Sequence, residues 1–399
     1  MSLQAEIGRL RPSLTVVVCF CIAGLEGFDI QAFGVAAPQL ASDLHLSPGQ
    51  MGWAGSAAMI GLALGALLGG GLADRWGRRP ILAGSVALFG LFSLGTAMAE
   101  TYHILLAARF LTGLGFGGAM PNLIAIATEI SAPNRRAATT TSMFCGLPTG
   151  GALVALIAKA GGAGLDWRIL FLIGGAAPLI LAPMVMRLLP ETQSRSEKLA
   201  PRSVATSLFG AATRTSTLLI WLVLVLDLLV TYLLLNWLPT LVVAKGYASS
   251  DGADAAVWFN GFSILGALIL GQAADRLGYR APVTLGFIGL AFGLYGLANA
   301  ASLPAILAFS ALSGFLAIGL IYVLFALAPT LYPSQVRAAA SGAAVAVSRL
   351  GSILGPVVAG QMRANGFGPS QVLQALVPAA LVAAVAGFVL LSLPKTTPD

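Results

Sequence analysis

The hydrophobic positions of this chain gather in long unbroken runs. Leu218–Leu226 and Leu376–Leu393 are two of them. The strands of a membrane barrel would instead alternate apolar and polar residues over about ten positions. A helix needs about 20 apolar residues to cross a bilayer. Twelve such spans are predicted: 14–41, 51–73, 80–99, 104–130, 139–160, 169–189, 218–244, 255–274, 281–301, 304–331, 339–361 and 371–393. The expected fold class is an all-α membrane protein of twelve transmembrane helices.

Composition strengthens this. Of 399 residues, 57% are hydrophobic and 9% are charged, against roughly 25% charged in ordinary soluble domains. A soluble enzyme, a nucleic-acid-binding domain and a disordered chain are excluded, because no globular core hides so much apolar surface. The net charge of +7 matters through its placement. With a cytoplasmic N-terminus, 16 of the 22 Lys and Arg residues fall in cytoplasmic connections, 4 outside and 2 within spans. That bias predicts an inner-membrane protein with both termini in the cytoplasm. Arg9 and Arg11 precede a first run too long for a signal-peptide core. The longest polar stretch, Pro190 to Thr217, carries Arg195, Lys198, Arg202 and Arg214. It reads as a cytoplasmic linker (190–217) between six-helix halves at 1–189 and 218–399. Cys19, Cys21 and Cys145 lie in apolar runs and read as packing residues. No metal site or cofactor is expected, and His45 and His103 read as surface residues.

The halves repeat. Gly70-Gly-Leu-Ala-Asp74-Arg75-Trp-Gly77-Arg78-Arg79 recurs as Gly271-Gln-Ala-Ala-Asp275-Arg276-Leu-Gly278-Tyr-Arg280, and 201 residues separate Asp74 from Asp275. The same offset relates Arg136 to Arg337, Pro38 to Pro239 and Glu26 to Asp227. This is the pattern of a parallel duplication. In such folds the substrate site is expected between the halves, near the midplane.

The string at 70–79 resembles the motif of the major facilitator superfamily, as does Arg109-Phe-Leu-Thr-Gly113-Leu-Gly115-Phe-Gly117 in span four. Glu26-Gly-Phe-Asp29-Ile-Gln-Ala-Phe-Gly34 resembles the first-helix motif of the aromatic acid:proton symporters, with glutamate where aspartate is usual. Asn236-Trp237-Leu-Pro239-Thr and Arg349-Leu-Gly-Ser-Ile-Leu-Gly-Pro356 fit the same group. With Pro121-Asn122-Leu-Ile and Cys145-Gly-Leu-Pro148, the Glu26 variant is most similar to its 3-(3-hydroxyphenyl)propionate transporter branch. The resemblance covers the whole chain. It implies a cytoplasmic gate of charge pairs and helix-end dipoles drawn from Asp74, Arg75, Arg78, Arg79, Glu129, Arg135, Arg136, Asp275 and Arg337.

The chemistry concentrates in the ionisable side chains within spans: Glu26, Asp29, Arg109, Asp227 and Arg349. Each costs about 2.5–3.5 kcal/mol at a helix centre and is expected to face a cavity or a partner. Glu26 and Asp29 share a helical face that Phe33 continues. Two carboxylates this close do not both ionise cheaply, which suits the pair to proton coupling; Asp29 is a candidate for substrate binding as well. For Arg109 two partners stay open, Asp29 or the substrate. Arg349, near the middle of span eleven, is the candidate to bind a substrate carboxylate bidentately; the competing reading is a salt bridge to Asp227. Asp227 itself reads equally as a cavity residue or a structural one. Tyr232, Asn236 and Trp237, with Phe33, Asn122, Trp258 and Tyr322, are candidates to stack on or hydrogen-bond an aromatic ring.

The function these features imply is proton-coupled import of an aromatic carboxylate across the bacterial inner membrane by alternating access. Its partners would be the small aromatic acid, protons and membrane lipid, and the protein would act as a monomer. Nothing resembles a phosphate-cradling loop, so neither ATP hydrolysis nor any other enzymatic activity is expected. A proton-driven efflux antiporter of the same fold is the alternative. The Gly146-Leu-Pro148-Thr-Gly150-Gly151 string only half resembles the antiporter motif, and two arginines within spans favour an anion.

Overall fold

The structure, a computed structural model, describes residues 3–129, 142–189, 191, 208–210, 213–332 and 337–393; for 3–13, 74, 128, 129, 163, 338 and 339 it describes the backbone alone. Among the described residues regular structure is helical. The first unit holds α1 (Leu3–Asp43), α2 (Pro48–Trp76), α3 (Arg78–Ala97), α4 (Tyr102–Glu129), α5 (Gly146–Gly161) and α6 (Trp167–Leu188). The second holds α7 (Arg214–Ala244), α8 (Ser249–Leu277), α9 (Arg280–Asn299), α10 (Leu303–Leu327), α11 (Arg337–Ala364), α12 (Pro369–Gln374) and α13 (Leu376–Leu390). Twelve segments are long and apolar enough to cross a membrane, from Leu14–Asp43 to Pro369–Leu390. Most of the expected linker, 192–207, lies outside the described residues.

Two departures from the expected spans have local causes. Span eight begins at Ser249 rather than at 255, because its polar first turn is capped: Asp251 Oδ2 accepts the Ala248 N–H at 3.0 Å. Span twelve is divided into α12 and α13 at Ala375. Pro378 has no N–H to offer the Gln374 carbonyl, so the helical ladder loses a rung there. Pro148 stands in the same relation to Phe144, and a turn at Cys145 precedes α5.

Each unit repeats one packing scheme. In the first, α2 lies along α4, α3 along α4 and α6, and α1 along α5; in the second, α8 lies along α10, α9 along α10 and α13, and α7 along α11. Glycines make these approaches possible, since lipid offers no hydrophobic drive for helix association and close backbone contact must supply it. A Cβ on Gly113 would overlap the Ala58 carbonyl, and one on Gly314 the Phe259 carbonyl. Gly65 meets Leu114 as Gly266 meets Phe315, and Gly150 meets Gly24 as Gly351 meets Val225. All three pairs of contacts keep the 201-residue offset of Asp74 and Asp275. The duplication therefore extends from sequence strings to backbone contacts within each unit.

These contacts give a matched test. Gly113→Ala and Gly314→Ala should lower thermal stability in detergent by about 1–3 kcal/mol through overpacking. Gly84→Ala, where an added Cβ meets nothing within 4 Å, should be neutral or stabilising by up to about 1 kcal/mol, from helix propensity. Unfolding temperatures of the three variants check both signs.

Candidate functional site

In the first unit the charged residues within the spans form a closed cluster. Asp29 of α1 is fully buried. Its Oδ2 accepts from Arg109 Nη1 of α4 at 2.6 Å, and its Oδ1 accepts from Ser93 Oγ of α3 at 2.7 Å. Ser93 Oγ also lies 3.4 Å from the Phe171 carbonyl of α6. The Arg109 guanidinium sits 5.1 Å from the Phe33 ring centroid and 5.7 Å from that of Phe171. Four helices thus meet on one ion pair. Arg109 is 1% exposed, so of its two expected partners the structure selects Asp29. Phe33, a candidate to contact substrate, lies against that guanidinium. Glu26 is buried one turn earlier on α1. Asn122 is also used internally: its Nδ2 donates to the Gly118 carbonyl at 2.9 Å and lies 3.5 Å from that of Gly69.

The second unit treats its arginine differently. Arg349 of α11 is half-buried, and its Nη1 donates to Tyr232 Oη of α7 at 3.3 Å. Among the described residues no carboxylate lies within ion-pair distance of it. The competing bridge to Asp227 is absent among the described residues for a geometric reason. At about 100° per residue, the nine positions from Asp227 to Asn236 place them on opposite sides of α7, and Tyr232 shares the Asn236 side. Asp227 points into the apolar interior, where neither of its oxygens has a hydrogen-bond partner among the described residues; the hydroxyl of Thr231, one turn on, also lacks one. Asn236 Nδ2 donates to the Tyr232 carbonyl at 2.8 Å, and Trp237 Nε1 to the Pro356 carbonyl of α11 at 3.2 Å. Tyr322 is half-buried on α10. Trp258 is 41% exposed and stacks on Phe262, in an exposed apolar stripe that continues through Leu265 and Ile269. That stripe has the composition of a surface meeting lipid.

Of the expected gate, Arg136 lies outside the described residues, as do the side chains of Asp74 and Glu129. Arg75, Asp275 and Arg337 are exposed. The structure adds Glu191, which the sequence reading passed over. Its Oε1 accepts the Arg78 N–H at 2.8 Å and the Arg79 N–H at 3.4 Å, and its Oε2 lies 3.9 Å from Arg79 Nε. A carboxylate thereby caps the start of α3, where Gly77 (φ 92°) provides no side-chain cap. In the second copy, Arg280 stands where Arg79 does and stacks on Phe388, its guanidinium 4.3 Å from the ring centroid. Glu191 was discoverable as the first acid after span six; Ser93, Phe171 and Phe388 carry no local signal.

The two buried aspartates should respond with opposite signs. Asp29→Asn leaves Arg109 buried beside a neutral amide and should cost about 3–5 kcal/mol of stability. Asp227→Leu removes an unpartnered buried carboxylate and should leave stability unchanged or raised. Thermal unfolding of the purified variants in one detergent compares them.

A family model for the Major Facilitator Superfamily matches residues 19–269 and 250–399. The chain is 44% identical to the 3-(3-hydroxy-phenyl)propionate transporter of Escherichia coli, over 96% of this chain and 94% of that protein. It is 34% identical to the 4-hydroxybenzoate transporter PcaK of Pseudomonas aeruginosa, over 92% and 90% of the two chains. Among solved structures it superposes on a D-xylose-proton symporter with a TM-score of 0.77 at 18% identity, covering 96% of this chain and 98% of that one, which speaks to the fold. The twelve membrane-capable helices, the duplicated glycine contacts and the motifs around Glu26, Asp74 and Arg109 thus have one explanation: the chain belongs to the major facilitator superfamily of membrane transporters, among the relatives of its aromatic acid transporters.

Proposed function

We propose that this protein imports an aromatic carboxylate, 3-(3-hydroxyphenyl)propionate or a related hydroxylated acid, together with protons across the bacterial inner membrane. Both termini would be cytoplasmic. The observation that carries this reading is Arg349: an in-span cation whose hydrogen-bond partner is a phenol hydroxyl, whereas the in-span arginine of the first unit is paired with Asp29. A cation left uncompensated at membrane depth favours an incoming anion, and a planar guanidinium suits a carboxylate. The named substrates of the relatives, a phenylpropionate and a hydroxybenzoate, combine that group with an aromatic ring. Trp237 and Asn236 are the residues we assign to the ring.

Proton coupling follows from charge. Bringing one negative charge into an inside-negative cell costs about 2.3 kcal/mol per 100 mV. One accompanying proton cancels that cost, and a second lets the potential drive uptake. Glu26 and Asp29 are the assigned carriers. Asp29 is held by groups on α3 and α4, so a change in its protonation would be felt where four helices meet. Arg75, Arg78, Arg79 and Glu191 would latch the cytoplasmic end of the first unit during alternating access.

The test is uptake of labelled 3-(3-hydroxyphenyl)propionate into proteoliposomes, with and without an inward proton gradient. Accumulation should follow the gradient. Arg349→Ala should lose at least about thirtyfold in affinity, the usual consequence of deleting one member of a desolvated charge pair. Substrate moving outward in exchange for protons would overturn the import reading in favour of an antiporter. Uptake unaffected by the mutation would remove Arg349 from the site.

A further inference from the structure

We propose that Tyr232 is a positioning residue for Arg349: its hydroxyl holds the guanidinium in place without neutralising it and adds its own O–H to the donors offered to the substrate carboxylate. This deepens the reading of Arg349 given above and rests on it. A phenol accepts one N–H and keeps its own proton to give. A carboxylate at the same point would instead satisfy the charge internally, as Asp29 satisfies Arg109. The choice of a neutral partner therefore leaves the cation available.

The surroundings fix this pair. Tyr232 is 8% exposed. Its helix is locked to that of Arg349 by the Trp237 bond to the Pro356 carbonyl and by Gly351 and Gly355, which bring α11 against the backbone of α7 at Val225 and Leu229. On the Arg349 side, Ser352 Oγ donates to the Arg349 carbonyl at 2.8 Å. Two side chains carried on helices in close backbone contact start near one geometry before the ligand arrives, so less side-chain freedom is lost on binding. The cluster offers several donors and a full positive charge, so it selects a carboxylate over the corresponding amide or ester.

Equilibrium binding of 3-(3-hydroxyphenyl)propionate and of its amide to the purified full-length protein in detergent tests this, alongside KM and maximal rate in proteoliposomes. Tyr232→Phe should weaken acid binding about tenfold, the effect of losing one charge-assisted hydrogen bond, while the maximal rate stays near wild type. Tyr232→Glu should abolish binding in a protein that still unfolds cooperatively on heating. In an Arg349→Gln background, Tyr232→Phe should add nothing. Wild-type affinity in either single Tyr232 variant, or additive losses in the double variant, would overturn the proposal while leaving the Arg349 assignment intact. Equal affinity of the wild type for acid and amide, or no binding of either, would overturn both.

Discussion

A positive charge at the depth of a bilayer must find compensation, and much of this molecule is arranged around two answers to that demand. Arg109 finds Asp29 within its own unit and is sealed between Phe33 and Phe171. Such a pair stabilises little relative to a well-packed apolar alternative, yet breaking it is costly. It therefore specifies how α1, α3, α4 and α6 assemble. Arg349 finds a hydroxyl in place of a carboxylate. One arginine is paired with a carboxylate inside its own unit, and the other meets a hydroxyl and no carboxylate among the described residues.

This division is instructive because the units descend from one pattern. The glycine contacts that set the helix spacing recur at a constant offset, and so do the charges at Asp74, Arg75 and Arg79 in the 70–79 string, whereas the buried ion pair does not. The positions matching Asp29 and Arg109 in the second unit are Val230 and Ser310. The partner of Glu26 in the repeat is Asp227, fully buried without a hydrogen-bond partner among the described residues. Backbone contacts at a glycine tolerate almost no change. A charge can be exchanged for an apolar residue whenever its partner is exchanged too. The backbone contacts have been kept, and the buried ion pair belongs to the first unit alone.

Much of this was legible in the chain. Apolar runs near bilayer length announce the spans, and local signals explain their misplaced ends: a capped polar turn at Ser249, a proline at Pro378. The repeat offset and the identity of the in-span charges were likewise visible. What spacing could not reveal was which charges meet across helices. Both partners of Arg109 were open until α1 and α4 were seen side by side, and Ser93 has no feature that separates it from any small residue packed in a helix. The side toward which Trp258 turns was likewise not legible, because an aromatic within an apolar run reads the same whether it packs inward or, as here, joins an exposed apolar stripe. Glu191 was overlooked because a polar stretch after a span looks like tether, while its carboxylate belongs to the start of α3.

That last point bears on where the polypeptide is divisible. The boundary between structural halves is usually drawn where a helix stops, at Leu188 or Leu189. The carboxylate that completes α3 comes three residues after α6 ends, and Gly77 before that helix start has no side chain to offer. A first half produced as a separate fragment would therefore need to retain Glu191. Cut just before it, the fragment would keep all six helices and still lack the group that closes the third.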